Sequence, residues 1–235
     1  MKRICTVLLT SLLLSMGSAV ALADDGLDDL RDDAKYSEWR MIKNDISRRI
    51  KAWDKRDLGK DIRSFKLDQE IEAPLDVVLR AYLDIDYYPR WFWEVQEAKV
   101  LKKVSDTEFY YYLVHRAPFG FPPHDVIIHM VIEPLDAKRG FVTFKLEAKP
   151  DYIPRRQGHI RMLAEDMVIK WTPLANGRTR EEVEGYVDPG DKLPAWAINS
   201  VQRLAPYYTA IGLQRIVKTE RFKNPKEPIP FRIRE

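Results

Sequence analysis

The sequence predicts an α+β fold in which a curved antiparallel β-sheet is covered by one long C-terminal helix. Between Ile46 and Asp188 apolar and polar residues alternate with period two in one segment after another, as half-buried strands do. Short turn signals separate those segments: Ser105-Asp106, Lys138-Arg139-Gly140, Pro150-Asp151 and the hairpin pair Asn176-Gly177. From Pro194 to about Lys218 the period becomes helical, with Ala197, Val201, Leu204, Tyr208 and Ile211 on one side. A sheet with one apolar face has to cover it, and this helix is the only element long enough.

The elements follow in order. Lys2 and Arg3, an apolar run from Ile4 to Met16 and an A-x-A ending at Ala23 have the form of a secretory signal over residues 1–23. Cleavage there leaves a single domain over 24–235, exported and expected in the periplasm. Residues 24–45 read as an N-terminal helix, with acids in its first turns and Leu27, Leu30, Ala34 and Met41 near one side. Two strands follow, through Ile50 and through Ile62–Ile71, then a short helix that starts at Pro74 and closes near Asp86. Strands are expected at 95–104, 107–115, 124–133, 141–148, 159–172 and 179–188. Pro206 predicts a kink or break in the last helix near Gln202. Residues 219–235 read as a C-terminal tail.

Composition excludes several classes of function. The one cysteine, Cys5, lies inside the signal, so the mature chain has no disulfide and no thiol chemistry. The 39 basic residues fall to 37 without Lys2 and Arg3, against 36 acidic ones, which gives no basic field for nucleic acid. No GxSxG, P-loop, HExxH or Gly-rich dinucleotide signature occurs. His124 and His129 lie five residues apart on one expected strand and so face opposite sides, which argues against a shared metal ion. Six Trp, eleven Tyr and nine Phe supply broad apolar surface.

Several motifs, in order, resemble one family. "TREEVEGYVDPGDKLPAWAINSVQRLAPYYTAIGLQRI" is similar to the closing strand, Asp-Pro-Gly turn and C-terminal helix of START domains, the lipid-binding members of the helix-grip superfamily. "IEAPLDVVLRAYLDIDYYPRWFWEVQEAKVL" and "FGFPPHDVII" resemble that family's earlier strands and short helix. The likeness runs from Trp39 to Val217. It implies a sheet wrapped around the long helix, an internal apolar cavity holding one lipid, transient contact with a membrane surface, no cofactor, no metal and no catalytic residues. A monomer is expected. Where many relatives have Pro-Arg-Asp this chain has Pro123-His124-Asp125, and the positions of the buried Arg–acid pair of sterol binders are Met130 and Glu97. Sterol recognition of that type is therefore not expected.

Alternation names the candidate lining. Phe109, Tyr111, Leu113 and His115 share one strand face, Val126, Ile128, Met130 and Ile132 another, and Val142, Phe144 and Leu146 a third. Ala197, Val201 and Tyr208 face them from the helix. Periodicity leaves open whether these residues form a solid core or a hollow sleeve; the resemblance implies the sleeve. Glu97, Tyr111 and His115 are the candidates for a polar group of the ligand. Phe119 and Phe121 stand on a Pro-stiffened loop, as membrane contacts or as loop anchors, and Arg155 and Arg156 are candidates for a lipid phosphate. The expected function is binding of one phospholipid or related lipid and its transfer between membranes. A helix-grip enzyme of the polyketide cyclase or aromatase type, using the same cavity, is the alternative.

Overall fold

The computed structural model describes residues 38–57, 62–117, 120–190, 193–224 and 228–233. The expected signal and residues 24–37 lie outside them, as does Phe119. Ten strands form one sheet: β1 (Arg40–Asp45), β2 (Ile50–Lys55), β3 (Ser64–Ile71), β4 (Val95–Ser105), β5 (Glu108–His115), β6 (His124–Glu133), β7 (Val142–Ala148), β8 (Ile160–Arg161), β9 (Ala164–Pro173) and β10 (Thr179–Asp188). Their order is β1-β2-β3-β10-β9-β7-β6-β5-β4, and all of these neighbours are antiparallel. β8 pairs with β6 in parallel. The helices are α1 (Leu75–Leu83), a 3-10 helix (Ile85–Arg90), α2 (Ala195–Ile216) and α3 (Glu220–Lys223).

The N-terminal expectation needs correction. Residues 40–45, placed in a helix by weak periodicity, form edge strand β1. Pairing decides it: β1 joins β2 around a bulge between Met41 and Lys43, and Arg40 makes two 3.1 Å bonds to Asp54 on β2. Ladder bonds of this kind outweigh a propensity difference of a few tenths of a kcal/mol per residue. The segment 159–172 divides for a similar reason. At the junction Met162 N donates to Asp125 O and Leu163 N to Asp188 O, so the chain changes partners between β8 and β9.

The described part of the C-terminal tail packs on the core. Phe222 of α3 is buried, Ile229, Phe231 and Ile233 pack on the core, and Arg232 O accepts from Leu135 N at 2.9 Å. Four apolar side chains in a short stretch gain more from covering the core than the chain loses by ordering.

α2 runs unbroken through Pro206, which removes one internal hydrogen bond without dividing the helix. Side-chain hydrogen bonds anchor its C-terminal half. Tyr207 Oη donates to Asp45 Oδ2, Gln214 Nε2 to Arg48 O and Glu70 O, and Arg215 Nη2 to Arg90 O. A Cβ on Gly212 would stand 2.0 Å from Trp91 O, so only glycine lets the helix backbone meet the end of the 3-10 helix.

The turn before α2 is fixed as well. Gly190 takes φ +78°, its N–H bonds Asp188 Oδ1 at 2.8 Å, and a Cβ there would meet Arg161 O at 2.3 Å. Arg161 in turn forms a fully buried pair with Asp125, through Nε to Oδ1 at 2.9 Å and Nη2 to Oδ2 at 3.0 Å. Its remaining donors reach Pro150 O, Ile153 O and Pro154 O, which pins the loop between β7 and β8.

Candidate functional site

One half of the sheet's inner face is filled by aromatic side chains. α1, the 3-10 helix and the residue that caps it carry Tyr82, Tyr88 and Trp91 inward, where Tyr82 meets Trp171 at 5.1 Å and Phe144 at 5.7 Å between ring centroids, and Tyr88 meets Trp91 at 5.1 Å. Tyr88 Oη donates to Tyr82 O at 2.6 Å. Edge-on contacts among buried rings make a solid plug.

The other half is open. Under α2, from Ile198 to Leu213, lies a pocket floored by β3, β9 and β10, with about 1190 Å³ of empty space including the part that opens to solvent. Phe65, Leu67, Met167, Ile169 and Val183 form the floor, and Ile198, Val201, Ala205 and Thr209 form the roof. Ligand sites of several hundred Å³ with apolar walls and few polar groups are the common form of small-molecule pocket.

Most of the sequence-predicted lining stands elsewhere. His115 and Val201 line the pocket. Tyr111, Leu113, Val126, Ile128, Met130, Ile132, Val142, Phe144 and Leu146 are buried in the main core, Phe109 packs against it, and Ala197 is buried; none of them borders the pocket. The aromatic plug explains the correction, because it occupies the space over β5, β6 and β7 where a sleeve was expected. Glu97 and Tyr208 are surface residues. Glu97 pairs with Arg156 at 2.8 Å, which holds its carboxyl below the usual range, and Tyr208 is 45% exposed. Arg156 is thereby committed to a protein carboxylate.

The histidines divide as the alternation requires. His129 faces outward, bonds Glu108 at 2.9 Å and stacks on Tyr110. His124 lines the pocket, directly opposite His115 across β5 and β6. Asp125, its neighbour, belongs to the Arg161 clip and also accepts from Tyr112 Oη at 3.0 Å. Burial raises the Asp125 pKa, but the bonds from Arg161 and Tyr112 outweigh it and hold the net value below the ordinary one. Among the described residues no group of three or more His, Cys, Asp or Glu is placed to hold a metal ion.

Sequence reasoning missed two buried glutamates. Glu165 on β9 brings Oε2 within 3.2 Å of His115 Nε2, a close approach whose alignment is not that of a hydrogen bond. Glu181 on β10 accepts a hydrogen bond from Gln69 Nε2 on β3, its direct register partner being one residue of the same inner face. Burial removes the Glu181 carboxylate from water and raises its pKa to about 7, with the Gln69 donor opposing part of that rise. Gln69 Oε1 and both amide atoms of Gln202 are buried with no hydrogen-bond partner among the described residues. The signal was present in the sequence: the alternation that turns Val183, Gly185 and Val187 inward also turns Glu181 inward, and Glu165 is in phase with Met167 and Ile169.

Residues 71–207 match the family described as polyketide cyclase / dehydrase and lipid transport. The chain belongs to this family. Its START-like domain is similar to the crystal structure of a STAR-related lipid transfer protein fragment from Xanthomonas axonopodis, with 26% identity, a TM-score of 0.70, and coverage of 77% of this chain and 99% of that one. It shares the helix-grip fold of human StAR-related lipid transfer protein 5, with a TM-score of 0.66 at 13% identity over 83% of this chain and 92% of that one. An uncharacterised protein of Pseudomonas aeruginosa is 26% identical over 184 residues, covering 77% of this chain and 88% of its own. In this START-like domain the pocket lies between the long helix and the β3, β9 and β10 part of the sheet.

Proposed function

We propose that this START-like domain binds one lipid in the pocket beneath α2 and transfers it between membranes, as an exported, periplasmic protein. The observation that carries the reading is the pocket itself, an apolar space walled by Leu67, Met167, Ile169, Val183 and Val201. Moving an acyl chain of about fourteen carbons through water costs roughly 11 kcal/mol at ~0.8 kcal/mol per methylene, so transfer without a carrier is slow. A wall of aliphatic side chains removes most of that cost and needs no reacting group. The ligand is a phospholipid or a related lipid. Loading and release bring the protein into brief contact with a membrane surface.

A second reading has one observation in its favour. The approach of His115 to Glu165 inside the pocket is the form of an acid–base pair, which an enzyme of the cyclase type would use on a bound substrate. Transfer of a fluorescent phospholipid between donor and acceptor vesicles separates the two. The carrier reading expects transfer that rises with protein concentration and persists in His115→Phe. Absence of transfer, together with a pocket that yields no extractable lipid, would overturn it in favour of catalysis.

A further inference from the structure

Within that reading, the pocket's polar groups say more about its ligand. The pocket's carboxylates and imidazoles stand at two ends, while Gln202 and Thr209 belong to the roof. His115, His124 and Glu165 lie together at one end, beside Arg116, whose side chain is 66% exposed. Glu181 lies at the other, hydrogen-bonded to the buried Gln69 behind it and paired in register with the fully buried Trp171. Glu165 pairs with Val187 and Trp171 with Glu181, so the two carboxylates are separated by six residues of β10. That is about 20 Å of strand at ~3.3 Å per residue. Leu67, Met167, Ile169 and Val183 fill the interval with apolar surface.

A wholly apolar ligand tail would leave the inner end unanswered. Gln69 is 0% exposed, its Oε1 has no partner among the described residues, and a buried polar atom left in that state costs about 1–3 kcal/mol. Glu181 forms part of the pocket wall, so a group carried on the ligand can reach it. An ionic group there would need its own charge buried, whereas a hydroxyl or carbonyl is satisfied by one or two hydrogen bonds. The raised pKa of Glu181 agrees with a neutral partner, since a protonated carboxyl both donates and accepts.

We propose that the ligand is an elongated apolar molecule with a polar group at each end, and that Glu181, held by Gln69, receives the inner group, a neutral hydroxyl or carbonyl. This rests on the lipid-binding reading and narrows it. An unsubstituted acyl tail is then a poorer ligand than one functionalised near its far end.

The test is competition. Purified protein is loaded with an apolar fluorophore, which is displaced by hexadecanol or by hexadecane-α,ω-diol. The diol is expected to bind about tenfold more tightly than the mono-alcohol, the equivalent of one net hydrogen bond of ~1.4 kcal/mol. Glu181→Gln retains most of that ratio, and Glu181→Leu reduces it to about one. Equal affinity of the two alcohols for the wild-type protein overturns the inference and leaves lipid binding standing, as does a ratio unchanged in Glu181→Leu. Failure of the wild type to bind either alcohol overturns the lipid reading and this inference with it. If Glu181→Leu does not fold, the wild-type ratio alone decides.

Discussion

Gln69 donates its side-chain amide to Glu181 across β3 and β10; both side chains are buried, and Glu181 lines the pocket. The pair couples the stability of the fold to pH. Between the ordinary glutamate value of 4.5 and about 7, the unfolded chain has lost this proton and the folded chain keeps it. The folded state binds more protons in that window, so the Glu181 contribution lowers stability as pH rises from 4.5 to 7 and is constant above. Glu181→Gln removes the titration and keeps the shape. Denaturant unfolding is expected to show a gain that grows across this window to at most about 3 kcal/mol at 1.36 kcal/mol per pKa unit. An equal effect at pH 4 and pH 8 would contradict the assignment.

The Asp125–Arg161 clip carries the opposite sign. Because the Asp125 carboxyl is held below its ordinary value, its stabilisation is present above the unfolded aspartate range and is lost as pH falls through the folded value. Removing Asp125 leaves the buried Arg161 guanidinium without its counter-charge. Asp125→Ala should cost about 3–5 kcal/mol, read as a lower midpoint of chemical unfolding.

Gly212 tests the seat of the long helix. Its missing side chain lets α2 reach the carbonyl of Trp91, and a methyl group would overlap that oxygen. Gly212→Ala is expected to cost about 2–3 kcal/mol through overpacking, despite alanine's better helix propensity. A stabilised protein would mean that the helix does not press on the 3-10 helix there.

The sheet was legible in the sequence because alternation is a local property. Val183, Gly185 and Val187 declare the inner face of β10 from their own spacing, and Asn176-Gly177 marks the hairpin before it. Residues 40–45 were not legible, because an edge strand with little buried surface takes its state from its partner β2. The pocket was not legible for a related reason. Strand phase says that Tyr111, Met130 and Phe144 point inward, but whether they meet a ligand or a ring depends on where Tyr82, Tyr88 and Trp91 arrive from another part of the chain. The polar floor could have been found, since Glu165 and Glu181 break two inward apolar series at positions where a carboxylate is costly to bury.

The central claim is that the space under α2 holds one lipid. Native mass spectrometry of the purified protein beside Val201→Trp, whose indole would fill the pocket from the roof, tests it most directly. The account predicts a wild-type mass equal to the chain plus a single lipid, and a folded variant, checked by circular dichroism, at the mass of the chain alone. The same bound lipid in both proteins, or none in the wild type after exposure to lipid vesicles, would contradict it.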